Sequence, residues 1–225
     1  MTLRQASRGL RLVRSHAEAW GVIPDQVAVL GFSAGGHLAG SISVLHHKFR
    51  FEQQDDLAEV SNRPDATILC YPVISSVRSY GRAASLCPRR CLNAGRWRQG
   101  PHAHRGSFNN LLGQAASEAE RAAFSLDQHV DAQTPEAFMF HTTGDTGVPV
   151  ENSMLYAAGL RKAGTKFEMH VYPGLPHGIG LGDGGNGRQG SPHVGTWHPL
   201  AMGWLEAKGW ARAPGAAAQP TPPVL

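Results

Sequence analysis

The chain has 225 residues, of which 41% are hydrophobic, and it carries 21 basic and 17 acidic residues. This length predicts one domain over residues 1–212, followed by a Pro- and Ala-rich tail at 213–225 that we expect to be disordered. A net charge of +4 and an aromatic content of 8% give no indication of nucleic-acid binding. No apolar run approaches the ~20 residues that cross a bilayer, and no secretory signal is recognisable, so the sequence predicts no membrane partner.

The cysteines predict neither a disulfide framework nor a metal site. Cys70 lies in an apolar segment, where a small buried side chain is expected. Cys87 and Cys91 have a spacing that suits half of a zinc site, but no second pair of cysteines or histidines with ligand spacing follows. We therefore expect no metal.

Apolar patterning alternates between helices and strands along the chain. Apolar residues three and four apart predict an amphipathic helix over about residues 3–20. The continuous apolar run at 27–32 is typical of a strand buried on both faces of a parallel sheet. The later elements are strands at 66–74, 136–144 and 166–174, and helices at about 34–46, 150–164 and 196–209. This order predicts an α/β fold, a mostly parallel sheet with helices on both faces.

The helix predicted at 150–164 carries signals at both of its ends. Asn152 or Ser153 is expected to be its N-cap, because short polar side chains accept hydrogen bonds from the first N–H groups of a helix. Gly164 is expected to end it.

The sequence Gly31-Phe32-Ser33-Ala34-Gly35 joins the first predicted strand to the next helix and fits the pattern G-x-S-x-G. A serine in that context sits on a sharp, strained turn with its hydroxyl exposed. We expect glycine at both 31 and 35, because larger side chains there would collide with the crossing backbone. Ser33 is therefore a candidate nucleophile, and the Ala34 N–H a candidate oxyanion donor. The alternative is an incidental serine in a glycine-rich turn.

A nucleophilic serine needs a histidine base and an acid that orients the histidine. In this arrangement the acid and then the histidine follow the serine along the chain, each after a later strand. Asp145 follows the strand at 136–144, and His177 follows the strand at 166–174. Asp145 could instead bond only its own loop, as aspartates in turns commonly do.

The chain has 12 histidines, so the assignment of His177 has competitors. His141 and His170 fall within predicted strands and are interpreted as packed or edge residues. His37 is interpreted as a residue of the helix packing. His193 and His198 flank the last helix and are the alternative bases.

Several stretches together resemble the serine α/β-hydrolases of the acetyl esterase, acetylxylan esterase and feruloyl-esterase-like kind. The resemblance covers about residues 3–75 and 102–210. It implies an α/β-hydrolase fold, with Asp145 as the acid and His177 as the base. It also implies hydrolysis of short acyl esters, often acetyl groups on plant sugars, through an acyl-serine and without a cofactor. The stretches that carry it are GFSAGGHLAG, CYPVIS, GSFNNLLG, TPEAFMFHTTGDTGVPVENSMLYAAGLRKAG and HGIGL.

Two departures from that family shape the expectations. The chain starts after the loop that gives such enzymes their second oxyanion donor, so we expect the N-terminal strands to be missing, with a bare sheet edge. Residues 76–101 are rich in Arg, Gly and Cys, and a disordered insertion is favoured there over a basic cap.

The leading hypothesis is a serine esterase that acts on a small-molecule or carbohydrate ester. A peptidase or a dienelactone-type hydrolase on the same fold is an alternative, because fold does not fix substrate. Another alternative is a catalytically impaired fragment that needs a partner chain, such as a second copy in a homo-oligomer. The acyl group, the leaving alcohol and the cellular compartment stay open.

Overall fold

The computed structural model describes residues 2–50, 56–76, 103–185 and 190–210. Within these ranges, four strands form one fully parallel sheet in the order β1-β2-β3-β4. The predicted alternation and the parallel sheet are confirmed. The strands are β1 (Ala28–Phe32), β2 (Ala66–Cys70), β3 (Glu136–Thr142) and β4 (Phe167–Tyr172). The helices are α1 (Thr2–Ser15), α2 (Ala17–Trp20), α3 (Ala34–Arg50), α4 (Arg105–Leu112), α5 (Glu118–Ala123), α6 (Glu151–Ala163), α7 (Pro192–Gly195) and α8 (Trp197–Ala207), and a 3₁₀ turn spans Leu126–Gln128.

Alternate residues of the sheet pack into two hydrophobic layers, as the period of a strand requires. On one face, Leu69 and Met139 pack with side chains of α3 and α6. On the other face, Ile68 and Phe138 pack with Trp197 and other residues of α8. Helix α1 packs against α3 on the first face, where Leu10 contacts Ile42. Because the central strands are covered on both sides, they hold the ends from which the site is built.

The prediction that the first strand is buried on both faces is wrong. In β1, Leu30 is 51% exposed and Ala28 is exposed, while Gly31 is buried. Leu30 is paired in register with Ile68, but on β1 it is Phe32 that packs against Trp197 of α8, while Leu30 stays exposed. An apolar run therefore formed a strand with one face only partly covered.

The predicted bounds of two further elements need correction. The predicted strand at 66–74 ends at Cys70, because Tyr71 adopts a φ of 38° that cannot continue an extended strand. Helix α6 ends at Gly164 with a φ of 75°, as predicted, but its N-cap is Val150 and no side chain caps it. Asn152 instead accepts hydrogen bonds from the N–H groups of Ile74 and Ser75 at 2.9 and 3.2 Å.

The predicted insertion at 76–101 and the predicted tail lie almost wholly outside the described residues, as do Cys87 and Cys91. Cys70 is fully buried in β2, as expected for a small apolar side chain, and burial raises the pKa of its thiol. Among the helices of the described ranges, none is both long enough and apolar enough to cross a membrane.

Candidate active site

Ser33 occupies the turn between β1 and α3, and its backbone is held on both sides. Its φ of 54° is a left-handed value that a residue with a side chain adopts only where the surroundings enforce it. The Ser33 N–H donates to the Cys70 carbonyl at 2.9 Å. The Ser33 carbonyl accepts from the N–H groups of His37 and Val73, both at 3.1 Å. The strained turn is thereby fixed from the end of β2 and from the first turn of α3.

The glycines around Ser33 differ in what they permit. A Cβ at Gly31 would lie 2.1 Å from the Gly35 carbonyl oxygen, so no side chain fits there. A Cβ at Gly35 would meet nothing within 4 Å, so the predicted need for glycine at 35 is wrong. The second restricted position is Gly36, where a Cβ would lie 2.8 Å from the Cβ of Pro72. Glycine at 31 and 36 thus lets the end of β1, the first turn of α3 and the segment after β2 lie close together.

Asp145 and His177 lie in neighbouring loops that are bonded to each other. Asp145 follows β3, and His177 follows β4. The Gly144 N–H donates to the Gly174 carbonyl at 2.9 Å, and the Thr142 hydroxyl donates to the Leu175 carbonyl at 2.8 Å. These bonds fix the distance between the two loops.

The structure brings the three predicted side chains together in one line. Ser33 Oγ lies 2.7 Å from His177 Nε2, and His177 Nδ1 lies 2.6 Å from Asp145 Oδ2. The Asp145 side chain is 1% exposed, whereas that of His177 is 26% exposed. The carboxylate therefore orients a histidine whose other nitrogen faces the serine hydroxyl at the open side of the site.

The Asp145 carboxylate is stabilised as an anion although it is buried. Burial alone would raise its pKa, but contacts with His141 and His177 and the hydrogen bond from the Val148 N–H together hold the pKa well below its usual range. Oδ1 accepts from the N–H groups of Gly147 and Val148 at 3.0 and 2.8 Å. These loop bonds coexist with the contact to His177, so the two interpretations of Asp145 are compatible.

Four of the competing histidines, His37, His170, His193 and His198, lie where they serve packing or surface contacts. His37 is buried and contacts the Phe124 carbonyl, in agreement with the interpretation as a packing residue. His170 in β4 contacts Glu168 at 2.7 Å, as an edge residue does. The two alternative bases contact aromatic rings: His193 lies against Tyr172, and His198 against Trp197.

Two residues near His177 were missed by the sequence analysis. The ring of Tyr71 lies edge-on to His177 at 5.1 Å, and its hydroxyl accepts from the Gly180 N–H at 3.0 Å. The ring of His104 stacks on that of His177 at 6.4 Å, and burial followed by the proximity of His177 lowers the pKa of His104. Neither residue has a local sequence signal, because each is distant from His177 along the chain: Tyr71 follows β2 and His104 precedes α4.

A largely apolar cavity of about 380 Å³ opens beside the serine. Its wall includes the two residues after Ser33, Ala34 and Gly35, and the apolar side chains of Leu38, Val73 and Phe108. Within the described part of the chain, no cluster of His, Cys, Asp or Glu side chains could hold a metal ion. The site thus offers a hydroxyl, an imidazole, a carboxylate and an apolar recess.

A parallel sheet between helices, with a serine on a strained strand-to-helix turn and an aspartate and a histidine after later strands, defines an α/β-hydrolase. The chain belongs to the BD-FAE family, whose model matches residues 3–160.

Individual relatives agree with this family. An acetylxylan esterase from Xylanibacter ruminicola is 30% identical over 176 residues, which are 78% of this chain and 30% of that protein. An endo-1,4-beta-xylanase B from Butyrivibrio fibrisolvens is 33% identical over 177 residues, 79% of this chain and 24% of that protein. The chain thus spans between about a quarter and a third of these curated relatives.

Solved structures share the fold. The acetyl ester-xyloside bifunctional hydrolase from Caldicellulosiruptor lactoaceticus is 35% identical with a TM-score of 0.75, and the match covers 92% of this chain and 66% of that chain. A thermophilic esterase from Thermogutta terrifontis with bound butyrate is 26% identical with a TM-score of 0.68, covering 95% of this chain and 67% of that chain.

Proposed function

We propose that this chain is a serine carboxylic-ester hydrolase that removes short acyl groups through an acyl-Ser33 intermediate. The observation that carries the proposal is the continuous contact from Ser33 Oγ to His177 Nε2, and from His177 Nδ1 to Asp145 Oδ2, at 2.7 and 2.6 Å. Distances of this size are those at which a base takes a proton in the reacting complex. In this proposal Ser33 is the nucleophile, His177 the general base and Asp145 its orienting acid.

The first half of the reaction forms the acyl-enzyme. Ser33 Oγ attacks the ester carbonyl carbon while its proton passes to His177 Nε2. Asp145 accepts the Nδ1–H of His177, which leaves Nε2 free to receive that proton and stabilises the imidazolium. When the tetrahedral intermediate collapses, His177 returns the proton to the leaving alkoxide and the alcohol departs.

The negative charge on the carbonyl oxygen needs donors that are already in place. Ala34 is the first residue of α3, and the first N–H groups of a helix have no partner within the helix. The Ala34 N–H and the positive end of α3 are thus suited to stabilise the oxyanion. Water then attacks the carbonyl carbon of the acyl-serine while His177 Nε2 takes its proton. As the bond to Ser33 Oγ breaks, His177 returns that proton to Oγ, and the carboxylic acid departs.

The cavity at Ala34 and Gly35 offers an apolar wall against which the acyl part of an ester can lie. It has about 380 Å³ of space, so the choice of a short acyl group rests on the relatives and not on the cavity. The relatives named acetylxylan esterase and acetyl ester-xyloside hydrolase favour an acetyl group on a carbohydrate as the substrate. We therefore propose acetylated sugars as the substrate class.

The nucleophile is tested with p-nitrophenyl acetate. Ser33→Ala is expected to abolish turnover and covalent labelling by a phosphonate probe, because it removes the hydroxyl that lies 2.7 Å from His177 Nε2. Ser15→Ala is the matched control, since Ser15 is an exposed serine at the end of α1. Turnover by Ser33→Ala equal to that of the unchanged chain would refute the role of Ser33.

The substrate class is tested separately with a panel. Release of acetate from acetylated xylo-oligosaccharides is compared with hydrolysis of p-nitrophenyl esters of increasing acyl length, of a peptide amide and of a dienelactone. The proposal expects acetate release, and a lower rate with the longer acyl chains than with acetate. Preference for the peptide or the lactone would replace the esterase with one of those hydrolases.

A further inference from the structure

We propose that His141 is a positioning residue for Asp145, and that Ser153 helps to hold the His141 ring in the orientation in which it does so. The inference rests on the proposed function, since it concerns the orientation of the carboxylate that contacts His177. It extends the line of contacts inward by two residues, from Asp145 to β3 and α6. His141 was interpreted from the sequence only as a packed residue of a strand.

His141 is completely buried near the end of β3, and both of its ring nitrogens have partners. Nε2 lies 2.8 Å from the Val148 carbonyl oxygen and 3.4 Å from Asp145 Oδ2. Nδ1 lies 2.8 Å from Ser153 Oγ. A fully buried imidazole with a partner at each nitrogen has one defined orientation.

The partners also determine where the ring proton lies. A carbonyl oxygen only accepts, so Nε2 of His141 must carry the hydrogen that is donated to Val148. In the neutral ring Nδ1 is then an acceptor, and the Ser153 hydroxyl donates to it. Asp145 Oδ2 lies on the same side of the ring, 3.4 Å from Nε2, so the positive end of this N–H also stabilises the negative charge of the carboxylate.

Val148 connects His141 to Asp145 a second time. Its N–H donates to Asp145 Oδ1 at 2.8 Å, while its carbonyl accepts from His141. The turn from 145 to 148 is thereby closed from both sides, and the plane of the carboxylate follows the position of Val148. Loss of the His141 donor would release Val148 and let the carboxylate rotate away from His177 Nδ1.

The burial of Asp145 relates its position to that of His177. Asp145 is the buried end of its pair with His177, with 1% of its side chain exposed against 26% for His177. The bond from His177 Nδ1 to this carboxylate sets the direction in which Nε2 faces Ser33. An error in the position of Asp145 would therefore change the direction of His177 Nε2.

Two substitutions at position 141 separate the donor from the acceptor. His141→Gln places an amide nitrogen near the position of Nε2 and keeps a donor toward Val148 and Asp145. His141→Asn places its amide near Nδ1, so it keeps a partner for Ser153 and loses the donor. His170→Asn on the neighbouring strand β4 is the matched control, since it changes a histidine that contacts only Glu168 among the polar partners given by the structure.

The kinetic measurement is the separation of kcat from KM with p-nitrophenyl acetate, corrected for the folded fraction. His141→Asn is expected to lower kcat by about 10- to 100-fold with KM unchanged, as a misplacement of up to ~1 Å does. His141→Gln is expected to retain most of kcat. Equal losses in both variants, or no loss in His141→Asn, would overturn the proposal.

A spectroscopic measurement keeps the inference testable if the chain has no esterase activity. The low-field proton NMR signal of the His177 Nδ1–H, which is bonded to Asp145, is expected in the unchanged chain and in His141→Gln, and lost or shifted in His141→Asn. An inactive chain that still shows this pattern would refute the proposed function and support the positioning role. An unchanged signal in His141→Asn would refute the positioning role.

Ser153→Ala covers the case in which a variant at 141 does not fold. It removes the donor to His141 Nδ1 and leaves the imidazole in place, so the ring loses one of the two hydrogen bonds that hold its orientation. We expect a several-fold lower kcat at unchanged KM, with a weakened low-field signal. A Ser153→Ala variant identical to the unchanged chain in both readouts would refute the assignment of Ser153.

Discussion

His37 gives the fold a pH dependence that can be isolated from the other titrating groups. It lies one turn into α3 and is 7% exposed, with Nε2 2.9 Å from the Phe124 carbonyl and its ring edge-on to Phe108. Burial lowers its pKa from 6.5 to about 4, against the smaller opposing effect of the bond to Phe124. In the folded chain this imidazole therefore stays neutral at pH values where an exposed histidine is charged.

The sign and size of the effect follow from linkage. Below pH 6.5 the unfolded chain binds a proton at His37 that the folded chain does not bind until about pH 4. Stability is therefore complete above the unfolded pKa and is lost as the pH falls toward the folded one. With ~1.4 kcal/mol per unit, the loss amounts to about 3 kcal/mol at about pH 4. The contribution of Asp145, whose pKa is lowered, begins to be lost only as the pH falls to the usual pKa of a carboxyl group, 3.8, so most of that loss lies below this interval.

The assay is urea denaturation at a series of pH values from about 7 to about 4. His37→Gln keeps a donor toward Phe124 and does not titrate, so its free energy of unfolding should depend less on pH than that of the unchanged chain. Between about pH 7 and about pH 4, the unfolding free energy of the unchanged chain should fall by about 3 kcal/mol more than that of His37→Gln. His198→Gln, at an exposed position, should leave the slope unchanged. Parallel curves for the unchanged chain and His37→Gln would refute the reasoning.

Three further predictions concern the site itself. Gly31→Ala should prevent formation of an active fold, because its Cβ would lie 2.1 Å from the Gly35 carbonyl oxygen. Gly35→Ala should fold and gain up to ~1 kcal/mol of unfolding free energy in urea denaturation. The opposite ranking of the two variants would contradict the steric account. Tyr71→Phe leaves the Gly180 N–H without its acceptor and should cost about 1–3 kcal/mol of unfolding free energy and lower kcat; unchanged values in both assays would show that the bond is dispensable. Asp145→Asn should lower kcat by about 10⁴-fold with little loss of folded protein, because an amide favours the wrong histidine tautomer. A pre-steady-state burst assay measures the remaining rate, and a much smaller loss would contradict the role of Asp145.

The sequence predicted those features of the molecule that depend on local pattern and chain order. Alternating apolar segments were sufficient for a parallel sheet, because a strand, a helix and a second strand have one favoured arrangement. Ser33, Asp145 and His177 each follow a strand, and the C-terminal ends of parallel strands meet at one edge. Their convergence could therefore be expected before any distance was known.

The features that could not be predicted depend on which distant segment lies opposite a residue. Glycine is required at 36 and not at 35 because Pro72, beyond β2, packs against that turn of α3. Leu30 is exposed whereas Phe32, on the same face of β1, packs against Trp197 of α8, a difference that an apolar run does not reveal. Asn152 bonds the segment after β2 and does not cap α6, a choice made by tertiary packing.

The segment that follows β2 connects parts of the site that the chain supplies separately. Cys70 and Val73 bond the backbone of Ser33 on its two sides, and between them the Tyr71 hydroxyl accepts from Gly180 in the loop of His177. The nucleophile and the base thus share one support, although neither belongs to it. A displacement of this segment would therefore move Ser33 and the loop of His177 together. Asp145 is held by Val148 and His141, and its loop is bonded to that of His177, so the histidine is fixed from a second side as well.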